Sequence, residues 1–170
     1  MFLGDARKGS IFCYNQCVKT TILSLQDLEQ FADSFVIALV PREWATVVAL
    51  HGELGAGKTT LSQMIAKRLG IEEIVQSPTF VIMKSYPITK DPRFTRLVHL
   101  DLYRIESQTE LEVLKFSELL ADPSALVLVE WAERAGALMP RDALDVSIEM
   151  RAGEHGEMVR EITYVRQFKA

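Results

Sequence analysis

Cysteine is scarce in this chain: there are two, Cys13 and Cys17. With no second pair and no histidine beside them, they build neither a disulfide framework nor a zinc site. They read as ordinary reduced thiols. Long apolar runs are also missing, and no segment approaches the ~20 residues that cross a bilayer. Arg7 and Lys8 lie near the start, but no continuous apolar stretch follows, so the N-terminus does not read as a signal peptide. These absences point to the cytoplasm and to no membrane partner. Positive charge is in deficit, with 19 Lys and Arg against 23 Asp and Glu, a net −4. No basic patch stands out, so strong direct binding of RNA or DNA is not expected. Repeats, low-complexity tracts and linkers are absent too. What is left, 170 residues at 48% apolar and 25% charged, suits one globular domain with its own core.

Against that plain background one segment stands out. Gly52-Glu53-Leu54-Gly55-Ala56-Gly57-Lys58-Thr59 fits the P-loop pattern G-x-x-x-x-G-K-S/T at every fixed position. Its glycines let the backbone curl so that successive N–H groups face phosphate oxygens. Lys58 is placed to reach the β- and γ-phosphates, and the Thr59 hydroxyl to ligate Mg²⁺. The context agrees. Residues 45–50 form an apolar, β-rich run before the loop. Leu61, Met64, Ile65 and Leu69 recur at helical spacing after it, and Gly70 stops them.

The rest of the chain reads as α/β. Residues 1–18 have no clear period and read as an N-terminal extension outside the core, a candidate for disorder. Residues 19–170 read as a single P-loop ATPase domain. A strand is expected at 19–25. Ser24 to Asp27 fits a capping box, and an amphipathic helix follows over 26–40, ended by Pro41. Ser77-Pro78-Thr79-Phe80 opens a β-rich run to Tyr86, and 88–95 is a connection. Residues 96–103 alternate, with Val98, Leu100 and Leu102 on one face and His99, Asp101 and Tyr103 on the other. A helix is expected over 107–120. Leu126 to Val129 suits a fully buried central strand. Two alternating segments around Gly153 and Gly156 suggest a C-terminal antiparallel hairpin. The expected fold is a P-loop NTPase-like three-layer α/β domain. Its central sheet is mixed but mostly parallel, and helices flank it.

A P-loop needs an acid near Mg²⁺ and a group that positions the γ-phosphate. Open α/β sheets place such residues at the carboxyl ends of strands. Glu130 ends the 126–129 strand and is the candidate Walker-B-like acid. Asp101 ends the 96–103 strand and is a candidate to orient water or hold a mobile segment. Thr79, in a loop restrained by Pro78, is a candidate switch hydroxyl or a turn residue. Trp131 stacks on a base or a partner, or belongs to the core. Guanine readers carry an Asn/Thr-Lys-x-Asp signature. The nearest match, Thr89-Lys90-Asp91-Pro92, ends in proline, and no D-x-x-G follows the P-loop, so a GTPase is disfavoured.

Taken together, four segments resemble the TsaE (YjeE) family. They are His51 to Thr60, Ser77-Pro78-Thr79-Phe80, His99-Leu100-Asp101-Leu102-Tyr103-Arg104 and Glu130-Trp131-Ala132-Glu133. The likeness runs from about residue 19 to 165. That family is a small bacterial P-loop ATPase of the tRNA threonylcarbamoyladenosine machinery. The resemblance implies Mg²⁺-dependent ATP hydrolysis and two protein partners, TsaD and TsaB, with tRNA reached only through them. It implies catalytic roles for Lys58, Asp101 and Glu130. Nucleotide contacts would come from Glu53, Leu54, Gly55, Ala56, Gly57, Lys58, Thr59, Thr60, Thr79 and Trp131, and metal ligation from Thr59 and Glu130. Glu53 stands where the family usually has Asp. Gln30, Phe31 and Ala32 replace a Thr and Gly often found in the first helix, which leaves the adenine contacts unassigned.

Slow ATP hydrolysis in support of TsaD–TsaB turnover is therefore the leading expectation, because no arginine finger can be picked from the sequence. A P-loop small-molecule kinase is one alternative, although Arg134 and Arg141 are too sparse to suggest a lid. A nucleotide-gated scaffold with incidental hydrolysis is the other.

Overall fold

The computed structural model describes residues 16–153 and 156–166. The first half runs β1 (Gln16–Ile22), α1 (Leu25–Ala38), β2 (Thr46–His51), α2 (Lys58–Arg68), β3 (Met83–Pro87) and β4 (Arg96–Asp101). The second half runs α3 (Gln108–Val113), α4 (Phe116–Leu120), β5 (Ala125–Glu130), a 3₁₀ segment (Ala132–Leu138), β6 (Leu144–Ala152) and β7 (Met158–Arg166). All seven strands join one sheet in the order β1-β7-β6-β2-β5-β4-β3. The inner run β6-β2-β5-β4 is parallel, β7 and β3 flank it antiparallel, and β1 pairs antiparallel with β7.

Two apolar layers cover the sheet. On one face Leu28, Phe31, Phe35 and Val36 of α1 and Leu61 and Ile65 of α2 pack on Val48, Leu50, Leu126 and Leu128. On the other, Leu111 of α3, Phe116 of α4 and Ala135 of the 3₁₀ segment cover Val47, Ala49, Val127 and Val129. β5 is buried at every position, which is why its sequence is a solid apolar run rather than an alternating one. The architecture is three-layered, as expected.

α1 begins where the sequence places it. The Ser24 hydroxyl accepts from Asp27 N–H at 3.1 Å, and the Asp27 carboxylate accepts from Ser24 N–H at 2.8 Å, completing the capping box. Several boundaries differ. β1 starts at Gln16, because Gln16 to Val18 pair with Tyr164 to Arg166 of β7. The expected extension thus loses its last three residues to the sheet, and 1–15 lie outside the described residues. Cys17 is a free, exposed thiol, and Cys13 lies in the undescribed part. β3 starts only at Met83, since residues 79–82 turn instead of extending. β4 is covered on both faces, so His99 and Asp101 are as buried as Val98 and Leu100. Its alternation therefore marks two buried faces of different polarity. The helix expected over 107–120 is two short helices, broken at Lys115, which takes a left-handed conformation (φ 55°).

Register brings the functional ends together. Glu130 pairs with Leu50 of β2 and with Asp101 of β4, so the loops leaving all three strands emerge at one edge of the sheet. Core truncation in β5 should be felt globally. Leu128→Ala is expected to destabilise the fold by about 2–5 kcal/mol, because the site cannot collapse between β2, β4 and two helices. Urea denaturation with an unchanged m-value is the measurement, and a loss below 1 kcal/mol would contradict this packing.

Candidate nucleotide site

The loop between β2 and α2 is shaped by its glycines. Gly52 leaves β2 at φ 142°, and a Cβ there would lie 2.4 Å from the Ile148 carbonyl oxygen of β6. Only glycine allows that approach. Gly57 (φ 111°) then turns the chain into α2. Lys58, the first residue of the helix, points back over the loop. Its Nζ donates to Gly52 O at 2.6 Å and Glu53 O at 3.0 Å, and sits 4.0 Å from the centre of the Trp131 ring. Burial holds its ammonium below the ordinary lysine range, although Glu130, Glu133 and Asp101 pull the other way.

Glu130 lies at the carboxyl end of β5 and is 3% exposed. A carboxylate that deep needs partners on both oxygens. Thr59 Oγ1 donates to Oε2 at 3.0 Å, and His99 Nε2 lies 2.8 Å from Oε1. A carboxylate only accepts, so the imidazole proton is assigned to Nε2. Among the described residues His99 Nδ1 then has no partner. Trp131 follows at φ 58°, strained for a bulky residue. That turn swings its ring onto Lys58 and beside Tyr103, with ring centres 5.0 Å apart.

Asp101 organises the opposite wall. The Ser77 hydroxyl donates to its Oδ2 at 2.6 Å, and the Thr79 hydroxyl donates to the same oxygen. Tyr103 N–H donates to Oδ1 at 3.0 Å. Burial pushes the Asp101 carboxyl up, but these three donors and His99 outweigh it and hold it below the usual carboxylate range. The loop that carries the two hydroxyls ends at Ile82, again left-handed (φ 64°), whose carbonyl accepts from Asp101 N–H. The loop is therefore fastened to Asp101 through side chains and backbone alike.

Most residues singled out from the sequence meet in one cleft. Leu54, Gly55, Gly57, Lys58, Thr59, Thr60, Thr79, Asp101, Glu130 and Trp131 line it, joined by Ser77 and Tyr103. Glu53 and Ala56 sit apart. Glu53 lines a neighbouring open hollow with His51 and Glu133, and Ala56 packs into the core. Sequence reasoning passed over three features. Ser77 is one, although a hydroxyl two residues before Thr79 was a readable signal. His99 is another: on its strand it reads only as part of the polar face, and its contact with Glu130 depends on the sheet order. The third is a cavity beside the cleft, lined by Ile22, Leu23, Ser24, Leu25, Leu28, Gly57, Thr60 and Arg160. Nothing local in the sequence connects residue 160 with the loop.

A glycine loop at the carboxyl edge of a parallel sheet, backed by a lysine, a hydroxyl and a buried acid, defines the class: an α/β domain with a glycine loop at a strand–helix junction, a geometry in which backbone N–H groups can meet an anion. Comparison narrows the class. The family model for threonylcarbamoyl adenosine biosynthesis protein TsaE matches residues 22–161. The chain is similar to the tRNA threonylcarbamoyladenosine biosynthesis protein TsaE of Streptomyces coelicolor, at 38% identity over 69% of this chain and 77% of that one. It is 41% identical to the TsaE protein of Bacillus subtilis, over 69% of this chain and 68% of the relative. The crystal structure of Bacillus subtilis YdiB superposes with a TM-score of 0.66 at 30% identity, covering 89% of this chain and 86% of that one. The chain belongs to the TsaE family.

The Asp101 cluster predicts an acid limb to stability. A carboxylate whose folded pKa is depressed contributes stability that is complete above its unfolded value, near 3.8, and is lost as the pH falls through the folded value. Asp101→Asn should therefore flatten the decline of melting temperature below pH 4. Identical pH profiles for the two proteins would contradict the assignment.

Proposed function

We propose that this protein is a slow, Mg²⁺-dependent ATPase of tRNA threonylcarbamoyladenosine biosynthesis, and that its nucleotide cycle supports TsaD-like and TsaB-like partners. The contact between Thr59 and Glu130 beside Lys58 carries the reading. It joins a hydroxyl, a buried carboxylate and a cation at the mouth of a glycine loop, and two oxygen donors of that kind suit a hard divalent ion. Family membership supplies the pathway.

In this reading Lys58 exchanges its carbonyl partners for phosphate oxygens, for which Gly52 O and Glu53 O stand in. Thr59 and Glu130 hold Mg²⁺, directly or through water, and His99 fixes the carboxylate that does so. When bound, the ion neutralises developing charge on the β- and γ-phosphates. Asp101 orients the water that attacks the γ-phosphorus. The new P–O bond forms as the bond to the bridging β–γ oxygen breaks, ADP leaves, and the water's proton passes to solvent. A carboxylate held below its usual range is a weak base, so Asp101 acts by positioning. Among the described residues Lys58 is the only cation lining the cleft, which fits slow turnover. Cleft and cavity, about 370 and 280 Å³, meet at Gly57 and Thr60, and the cavity's apolar wall suits the nucleobase.

The same geometry supports a switch. Ser77 and Thr79 are fastened to Asp101, and the loop between them and β3 exposes Phe80 and Val81, at 85% and 64%. If nucleotide draws Thr79 or Asp101 away, those apolar side chains move with the loop, so a partner protein can sense the γ-phosphate. With a net charge of −4, tRNA is met through the partners rather than directly.

Glu130→Ala should lower steady-state ATP hydrolysis by about a hundredfold or more, since it removes a group that orders the metal. Threonylcarbamoyladenosine formation reconstituted with TsaD-like and TsaB-like proteins should fall with it. Modification that continues while hydrolysis is gone would favour a scaffold. Fast hydrolysis unaffected by the partners would contradict the proposal.

A further inference from the structure

We infer that Arg160 is a nucleotide-binding residue that holds the nucleoside end of ATP, on the side of the glycine loop away from Glu130. The inference rests on the nucleotide reading above and gives it a second cation. Arg160 lies on β7, and its side chain reaches the loop, where Nε donates to Ala56 O at 2.9 Å. The neighbouring residue is Gly57, and a Cβ there would come within 3.4 Å of the same Nε. The Arg160 side chain therefore passes close to the loop at a position that has no side chain of its own.

Only Nε is engaged. Among the described residues the two terminal nitrogens have no hydrogen-bond or carboxylate partner, so four N–H donors remain available on a residue that lines the cavity. The walls around it are chemically divided. Ile22 and Leu28 are buried apolar floor, whereas Leu23 and Leu25 stand 70% and 66% exposed at the lip. Ser24 and Thr60 add hydroxyls. Two exposed leucines beside an exposed guanidinium offer an apolar contact for a base and charged donors for the phosphate joined to it. Lys58 and Arg160 are the only cations lining the two hollows among the described residues, and they lie on opposite sides of Gly57.

Position decides the role. The groups suited to γ-phosphate chemistry, Lys58, Asp101 and Glu130, line the cleft, and Arg160 does not. Arg160 instead shares its cavity with Thr60, one residue further into α2. It is thus placed for the phosphate nearest the nucleoside, where charge changes little during hydrolysis. A contact of that kind is uniform binding: it lowers KM and leaves kcat alone. An arginine finger would do the reverse.

The test measures ADP and ATP affinity by calorimetry, together with steady-state hydrolysis, for wild type, Arg160→Ala, Arg160→Lys and Arg160→Gln. Arg160→Ala should weaken ADP and ATP by the same factor, about tenfold or more, as expected for a lost charge-assisted hydrogen bond. The kcat at saturating ATP should stay within about twofold. Arg160→Lys should recover part of the affinity. Arg160→Gln keeps one N–H for Ala56 O but no charge, so it should bind as weakly as Arg160→Ala; it also serves if the alanine variant folds poorly. Wild-type affinity in Arg160→Gln would reduce the residue to a strut for the loop and overturn the inference. So would a fall in kcat with ADP affinity unchanged. Failure of the wild type itself to bind ADP would sink the nucleotide reading along with it, whereas wild-type binding with indifferent variants sinks only the role of Arg160.

Discussion

A carboxyl group buried at the end of an apolar strand must be hydrogen-bonded, or the loss of its hydration goes uncompensated. Glu130 meets that condition with one partner from each side: Thr59 from α2 and His99 from β4. Both contacts depend on strand order. β5 must lie between β2 and β4, and their carboxyl ends must be level, for the three residues to meet. The apolar layers above and below the sheet secure that arrangement, since every apolar residue of β5 packs against one or the other. The site thus inherits its precision from the core rather than from its loops.

Around this fixed point the walls differ in rigidity. Lys58 and the glycine loop are held by α2 and by the close approach of Gly52 to β6. The opposite wall hangs on one acid, Asp101, which collects two hydroxyls and two ends of the 77–82 loop. Left-handed conformations at Ile82 and Trp131 bracket this wall. Two bulky residues beside the cleft thus hold a costly backbone conformation that the surrounding packing must maintain. The hairpin of β6 and β7 closes a third side through Arg160. The candidate site therefore draws on both ends of the sheet.

Much of this was legible in the sequence, and the reasons differ by element. The glycine loop, α1 and β5 announced themselves because local rules and global role agree there: a capping box begins α1, and a solid apolar run is what a doubly covered strand requires. Glu130 and Asp101 could be placed because strand ends carry chemistry in such sheets. The break at Lys115 could not be read, since 107–120 is apolar at helical spacing throughout, and the fold, not the pattern, divides it. The burial of His99 was hidden for a similar reason. Alternation of polar and apolar residues ordinarily means one wet face, but the face that carries His99 also carries Leu97 and lies beside Leu128, inside the apolar layer of α1 and α2. Arg160 was invisible because it acts 104 residues from the loop it touches.

The central claim is that Thr59 and Glu130 form a metal site facing triphosphate in the cleft. A crystal structure with Mg²⁺ and a non-hydrolysable ATP analogue tests it most directly. The account predicts a six-coordinate ion bonded to Thr59 Oγ1 at about 2.0–2.1 Å, with Glu130 in its first or second coordination sphere and phosphate oxygens completing the set. Lys58 should have left Gly52 O for the β- and γ-phosphates. A metal held by other side chains, or a triphosphate lying outside the glycine loop, would contradict it.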